Sequence, residues 1–309
     1  MKLNYTMKPN GMYILSGRDF DDIATLVLTE YMPKVLEWPQ PVNIDHLATE
    51  CLPLDIRHEH ISINGSILGM IAFSDTEIPG LDLMYRPTVF QLSEGTMLID
   101  SSLSGYENRP RERFTKAHEA GHWICHRSYH SPDNRQYEFR RGGSSNFVAC
   151  RTDNIERYRY NKQKTDEDWE EWQADHFAAA ILMPVQTFEP YARRAIRSAG
   201  VSRGYLVKGQ NKGQAYEAIE DVAERFVVSK RATQIRMQQL GLIVDDSFAA
   251  AYRYWLYVNS WGRAFLNRKL HAPVDDQHTK SVFSYAFILP ITKTDSGKRI
   301  NSTNVFNNA

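Results

Sequence analysis

The chain has 309 residues, of which 42% are apolar and 24% are charged, a composition typical of a globular protein. Its 37 basic and 37 acidic side chains balance to zero formal charge. Proteins dedicated to nucleic-acid binding usually have a basic excess, so we expect direct DNA binding to be absent. Three cysteines exclude a disulfide framework and favour a reducing, cytoplasmic compartment. No apolar run is long enough to cross a membrane.

The first hundred residues predict two helices followed by strands. Apolar side chains recur at helical spacing over residues 19–36 and 42–51, as in amphipathic helices. Three short apolar or alternating runs predict strands at 67–73, 88–92 and 96–99. Residues 93–95 predict a hairpin turn between the second and third strands. We expect residues 88–101 to supply an edge strand along a substrate cleft.

The remaining chain predicts mainly helices. One helix is expected at 110–127 with a cap at Asn108, and another at 166–183 with a cap at Thr165 and an end at Pro184. The polar segment 128–164 between them predicts a loop with short strands. Further helices are predicted at 186–199, 214–227, 229–241 and 247–269.

These elements predict an α+β fold with a small twisted sheet, helices that carry the active site, and a C-terminal helical region. We expect a catalytic domain over residues 1–200, a helical region resembling a helix-turn-helix over 201–245, and an extension of unknown role over 246–309. The 219–241 segment carries Lys230, Arg231, Arg236 and Gln238. It could contact DNA or a repressor, but the balanced charge favours a helical pair packed on the catalytic domain.

The chemistry of the chain centres on His118-Glu119-Ala120-Gly121-His122. Positions four apart lie one above the other on a helix, so His118 and His122 can reach one tetrahedral zinc ion. Glu119 projects beside them, where it can act as a base towards water at the metal. The motif predicts peptide hydrolysis with one Zn²⁺ per chain.

Zinc needs a third protein ligand, and it leaves one position open for catalysis. His126 lies ~12 Å along the helix from His118, too far to share a metal with both other histidines. We predict Glu171 as the third ligand, with Glu170 as its competitor. Asp175, one turn on, can accept a hydrogen bond from a ligating histidine and fix its tautomer.

Three ordered motifs resemble the ImmA/IrrE-type metallopeptidases. They are RFTKAHEAGH at 113–122, EWQADHFAAAILMP at 171–184, and VAERFVVS at 222–229 with Arg236 and Leu240-Gly241-Leu242. The resemblance covers roughly residues 40–245. It implies a zincin-like fold of the gluzincin type, with His118, His122 and Glu171 as ligands and Glu119 as base. It also implies a cytoplasmic regulatory protease, of a kind often encoded by mobile elements or stress loci, that cuts a helix-turn-helix repressor.

The chain departs from the family pattern in three places. Asp175 stands where Asn is commoner, about 49 residues separate His122 from Glu171, and residues 246–309 match nothing in the pattern. The wide spacing leaves room for a lid or a substrate loop.

Several features have more than one interpretation. His126, Tyr129 and His130 are candidates to bind substrate or stabilise the oxyanion, as are Tyr137 and Arg140. Cys150 could place a thiolate in the open zinc position, or it could be a small buried residue. The rival functional hypothesis is a DNA-binding or protein-interaction regulator with a structural zinc site and no proteolysis.

Overall fold

The computed structural model describes residues 3–130, 147–151 and 165–246, all of which lie within one compact unit, Met1–Ala250. The helices are α1 (Gly17–Tyr31), α2 (Ile44–His46), α3 (Arg109–His126), α4 (Asp166–Leu182), α5 (Val185–Ser198), α6 (Lys212–Phe226) and α7 (Lys230–Gln239). The strands are β1 (Asp55–Glu59), β2 (Ile67–Ala72), β3 (Thr76–Leu81), β4 (Pro87–Leu92), β5 (Thr96–Asp100), β6 (Phe147–Arg151), β7 (Leu206–Val207) and β8 (Ile243–Val244). This combination confirms the α+β class. No helix in the described ranges is both long and apolar enough to cross a membrane.

A mixed four-stranded sheet, in the order β1-β5-β2-β6, carries the fold. β5 runs parallel to β1 and antiparallel to β2, and β2 runs antiparallel to β6. Side chains alternate between the two faces of a strand. Ile71 on β2 belongs to the large core shared with the helices, whereas its neighbour Met70 belongs to a smaller core with Ile78 of β3. Apolar residues therefore cover both faces of the central strands.

The predicted hairpin between residues 88–92 and 96–99 is wrong. β4 pairs with β3 in a separate two-stranded sheet, while β5 enters the main sheet. Gly95, at φ +83°, makes the turn and donates its N–H to Ala72 O at 2.9 Å. The turn therefore joins two sheets. β5 is buried at all five positions, which requires neighbours on both sides and explains its interior place.

The prediction that residues 88–101 form an edge strand along the cleft is also wrong. β5 lies between β1 and β2, and β4 lies outside the main sheet. Among the described strands, the edges of the main sheet are β1 and β6. β6 is paired with β2 on one side and is the edge strand that contacts α3.

α3 and α4 pack closely because one of them presents a glycine. A Cβ atom added at Gly121 would lie 3.0 Å from Phe177 Cδ1 and 3.3 Å from Ala174 Cα. Thr165 caps α4 in a reciprocal capping box with Asp168, as predicted. Asn108 occupies the N-cap position of α3 as predicted, but its side chain does not cap the helix and instead donates to Ser102 O at 3.0 Å.

The predicted helices at 19–36 and 42–51 are each shorter or less regular than expected. α1 ends at Tyr31, and Pro33 opens a separate 3-10 turn at Pro33–Leu36. α2 gives way to a π-helical turn at Leu47–Cys51. The predicted helix at 247–269 lies outside the described residues.

The last described helices pack on the core through buried arginines. Arg236 of α7 donates to Met183 O at 3.2–3.3 Å and pairs with Asp21 of α1. Arg113 of α3 donates to Val227 O at 3.1 Å, where the chain leaves α6. Ser229 caps α7 as predicted, by accepting from Ala232 N. This region is therefore joined to the metal-motif helices by specific polar contacts.

Candidate metal site

Two helices bring three ligand-type side chains to one buried point. His118 and His122 of α3 are 1% and 0% exposed, and their Nε2 atoms lie 2.9 Å apart. Glu171 of α4 places Oε2 3.5 Å from His118 Nε2 and Oε1 3.5 Å from His122 Nε2. Two donors ~2.05 Å from a tetrahedral zinc lie ~3.3 Å apart. One ligand atom from each of the three residues can therefore reach a single metal ion. We call these three residues together with Glu119 the first cluster.

Charge favours a cation between the two ring nitrogens. Two unprotonated nitrogens at 2.9 Å repel each other, so the pair needs a proton or a metal cation between them. Although burial opposes it, the neighbouring Cys150 thiol and the Asp175 carboxylate raise the pKa of His118 well above its usual value. The His118 environment thus stabilises positive charge.

The other two candidate ligands, His122 and Glu171, have the protonation states that metal binding requires. Burial lowers the pKa of His122 to about 4, so its ring is neutral near pH 7. Burial acts to raise the pKa of Glu171, but hydrogen bonds with His118 and His122 outweigh it and hold that pKa well below the usual range. A neutral imidazole and an ionised carboxylate are the forms that metals require.

Asp175 sets the tautomer of His118. Its Oδ1 lies 3.0 Å from His118 Nδ1 and can only accept when ionised, so Nδ1 carries the proton. The Nε2 lone pair of His118 then faces the cluster. Asp175 thus takes the supporting position that its spacing from Glu171 predicted.

A longer hydrogen-bond chain sets the tautomer of His122. Gln173 donates from Nε2 to the Tyr13 carbonyl at 2.9 Å, which fixes its amide orientation. Its Oε1 therefore accepts from His126 Nε2 at 3.1 Å, leaving His126 Nδ1 unprotonated. That atom accepts from His122 Nδ1 at 3.0 Å, so the Nε2 lone pair of His122 also faces the cluster.

Glu119 is the polar group without a partner at this point. It is fully buried, and neither carboxylate oxygen makes a hydrogen bond. Burial raises its pKa to about 8, and Glu171 adds to the rise. His118 opposes it, as does the nearby backbone N–H of Cys150, which does not reach hydrogen-bond geometry. Buried carboxylates normally have partners, so Glu119 marks a place for a polar ligand such as water at a metal.

Gly69 of β2 makes room for Glu119. A Cβ atom there would lie 2.7 Å from Glu119 Oε1 and 2.5 Å from Thr115 Cγ2, both inside van der Waals contact. The sequence analysis missed this residue. Its signal is a single glycine within an apolar strand, which often marks close approach of another group.

A second cluster of similar residues lies one turn further along α3. We define it as His126, His130, Glu170 and Gln173. Glu170 Oε1 pairs with His130 Nε2 and lies 3.8 Å from His126 Nδ1. His122, His126 and Glu170 could in principle hold a metal ion, but hydrogen bonds already occupy both nitrogens of His126. The Glu170 alternative for the third ligand therefore belongs to this second cluster, and Glu171 to the first.

The residues predicted to bind substrate or stabilise the oxyanion differ in their surroundings. His126 is fully buried, and His122 and Gln173 engage both of its nitrogens, so it orients the His122 ring and has no free nitrogen for a ligand. His130 pairs with Glu170 and stacks on Phe73 at 4.3 Å. Tyr129 packs edge-on against His130 and stays a prediction. Tyr137 and Arg140 lie outside the described residues.

Gln173 is the second residue that the sequence analysis missed. It lies three positions after Glu170 on α4, and residues with that spacing share a helix face. This spacing was the available signal that Gln173 faces the histidines of α3.

Two basic side chains of the 219–241 segment, Lys230 and Arg236, have partners within the chain. Lys230 contacts Glu220 and the Tyr216 hydroxyl, and Arg236 is buried against Met183. Comparisons with known proteins add no identity: no protein-family model matches the chain, and no curated protein is significantly similar to it.

Proposed function

We propose that the chain is a zinc-dependent endopeptidase with a zincin-like catalytic core. The observation that carries the proposal is Glu119, a fully buried carboxylate with two unpartnered oxygens beside three converging ligand atoms. A structural zinc site closes its fourth position with another protein ligand and needs no adjacent base. A catalytic site needs both the open position and the base.

His118, His122 and Glu171 would hold the ion. When bound there, zinc supplies Lewis-acid chemistry that acidifies water and polarises a peptide carbonyl. Glu119 removes a proton from the attacking water and later delivers it to the amine that leaves. Its raised pKa suits both directions of transfer, since a base with a pKa near the working pH can also act as an acid.

An extended peptide can be held along β6. Among the described strands, β6 has a sheet partner only in β2, so its other side can accept main-chain hydrogen bonds. Cys150 on this strand lies beside His118 and Glu119. A peptide aligned on the edge would therefore pass the first cluster with its backbone extended, the geometry that an endopeptidase requires.

The substrate proposed is a helix-turn-helix repressor. One support is the resemblance of the 113–122, 171–184 and 222–229 motifs to the ImmA/IrrE-type peptidases. The other is that Arg236 and Lys230 pair with groups of the chain itself. Arg236 is buried and Lys230 is ion-paired at the surface, so the helical pair has less unpaired charge to offer to DNA. Cleavage of a repressor would couple the peptidase to transcription.

The test is a comparison of the zinc-loaded chain with its Glu119→Gln variant. Each protein is incubated with the repressor encoded beside the gene, and new N-termini are identified by mass spectrometry. We expect cleavage by the wild type and a loss of at least ~10³-fold in the variant, with zinc stoichiometry unchanged.

Glu112→Gln is the matched control. Glu112 is on the same helix but pairs with Lys116 and His58, away from the first cluster. This variant should cut like the wild type. Equal cleavage by wild type and Glu119→Gln would exclude the mechanism, and zinc binding without cleavage of any candidate would favour a regulator with a structural metal site.

A further inference from the structure

Cys150 points towards the first cluster from the edge strand. It is the register partner of Gly69 across the β2–β6 pair. Cross-strand partners project to the same face of a sheet. The Cβ position of Gly69 lies against Glu119, so that face is the one that meets α3. Gly69 has no side chain to occupy the space, and the Cys150 side chain shares it.

The Cys150 sulfur lies close to the proposed metal ligands. Cys150 Sγ, a His118 ring nitrogen and a Glu119 carboxylate oxygen all lie within 4.8 Å of one another. The nearby Cys150 thiol acts to raise the pKa of His118. Cys150 as a residue is only partly buried, but its thiol rests against side chains that are 1% and 0% exposed.

A second feature of the same place indicates a ligand. Both oxygens of the buried Glu119 lack a hydrogen-bond partner, and one of them lies within 4.8 Å of the sulfur. In the proposed mechanism this is the position of the attacking water. Sulfur and water would therefore compete for one place.

We propose that the Cys150 thiolate binds the metal in the position that the attacking water requires, so that β6 carries an internal inhibitor of the site. This inference rests on the proposed function. On binding, the S–H bond breaks, its proton passes to solvent, and a sulfur–metal bond replaces the bond to water. Thiolate is a strong zinc ligand, at a distance of ~2.3 Å. A substrate that aligns on β6 and displaces the sulfur would open the site.

The test uses Co²⁺ in place of zinc and reads the absorption spectrum of the full-length chain. In the wild type we expect visible d–d bands of a tetrahedral site together with a near-ultraviolet sulfur-to-cobalt charge-transfer band. Cys150→Ser and Cys150→Ala should keep the d–d bands and lose the charge-transfer band. Their zinc affinity, measured by competition with a chelator, should fall by roughly 10-fold or more.

Cys51→Ser is the matched control, because Cys51 is also partly buried but lies away from the first cluster. It should keep both bands. Wild-type d–d bands without a sulfur band would overturn this inference and leave the proposed function standing. Absence of all cobalt bands in the wild type would overturn both. Retention of the sulfur band in both Cys150 variants would also overturn it.

Discussion

The first and second clusters are built from the same residue types and yet differ in what their polar atoms do. Each has at least one histidine from α3 and a glutamate from α4, and the two glutamates are neighbours in sequence. In the second cluster, His126 is saturated by His122 and Gln173, and Glu170 pairs with His130. In the first cluster, three ligand atoms converge and Glu119 has no partner.

This difference shows that residue type does not by itself make a metal site. In the second cluster the lone pairs take part in hydrogen bonds, and these bonds orient His122. In the first cluster the lone pairs are directed at a common point. A turn of helix separates the two roles. The second cluster acts as a support for the first, as hydrogen-bonded neighbours do in many metal proteins.

The largest difference between the two clusters should appear when the carboxylate charge of each is removed in turn. We expect Glu171→Gln to weaken zinc binding on the order of 100-fold or more, because it removes a charged ligand. Glu170→Gln should change the affinity much less and keep one zinc per chain. Chelator competition measures both. A larger loss for Glu170→Gln would mean that the metal lies in the second cluster.

Removing the support of His118 should have the next largest effect. Asp175→Ala leaves His118 Nδ1 without its acceptor at 3.0 Å. Zinc affinity should fall ~10–100-fold. Asp175→Asn keeps an acceptor oxygen and should recover much of the loss. If alanine and asparagine weaken binding equally, charge and not tautomer control is the role of Asp175.

The space around Glu119 can be filled directly through Gly69→Ala. The new methyl group would meet Thr115 and Glu119 at 2.5 and 2.7 Å, so we expect a loss of ~1–3 kcal/mol in the free energy of unfolding and slower cleavage. Denaturant unfolding measures the first quantity. Gly213→Ala is the control, because an added Cβ there meets nothing within 4 Å. Wild-type cleavage by Gly69→Ala would show that Glu119 does not need this space.

The stability of the folded chain should decrease gradually in acid because of His126 in the second cluster. Burial lowers the pKa of His126 to about 3, from an ordinary 6.5. Between these values the unfolded chain binds a proton that the folded chain excludes, so stability falls as pH decreases from 6.5 towards 3. The slope is at most ~1.4 kcal/mol per pH unit for one group. Denaturant unfolding across this range should show a shallower slope for His126→Gln.

The control for the pH experiment is His46→Gln, which changes an exposed histidine. It should keep the wild-type slope. An unchanged slope in His126→Gln would mean that His126 does not exclude the proton in the folded chain.

Local patterns predicted the helices of the site and failed on strand partners. The spacing of His118 and His122 predicted a shared helix face, and Thr165 predicted the start of α4, because both depend on residues a few positions apart. The pairing of β5 with β1 and β2 joins residues far apart in sequence. A short apolar run predicts that a strand exists without naming its neighbour, so the predicted hairpin and edge strand were wrong.

The sequence by itself determined the ligand types, their helical spacing, and the presence of a carboxylate helix that could complete a metal site. Only the tertiary structure placed Glu171 beside His118 and His122, placed Glu170 beside His130, linked His126 to Gln173, and placed Gly69 and Cys150 beside Glu119. The physical reason is the separation along the chain between the residues that determine each feature. Helical spacing is set by hydrogen bonds four residues long, whereas the direction in which a lone pair points depends on packing between α3, α4 and β2, which are distant in the chain.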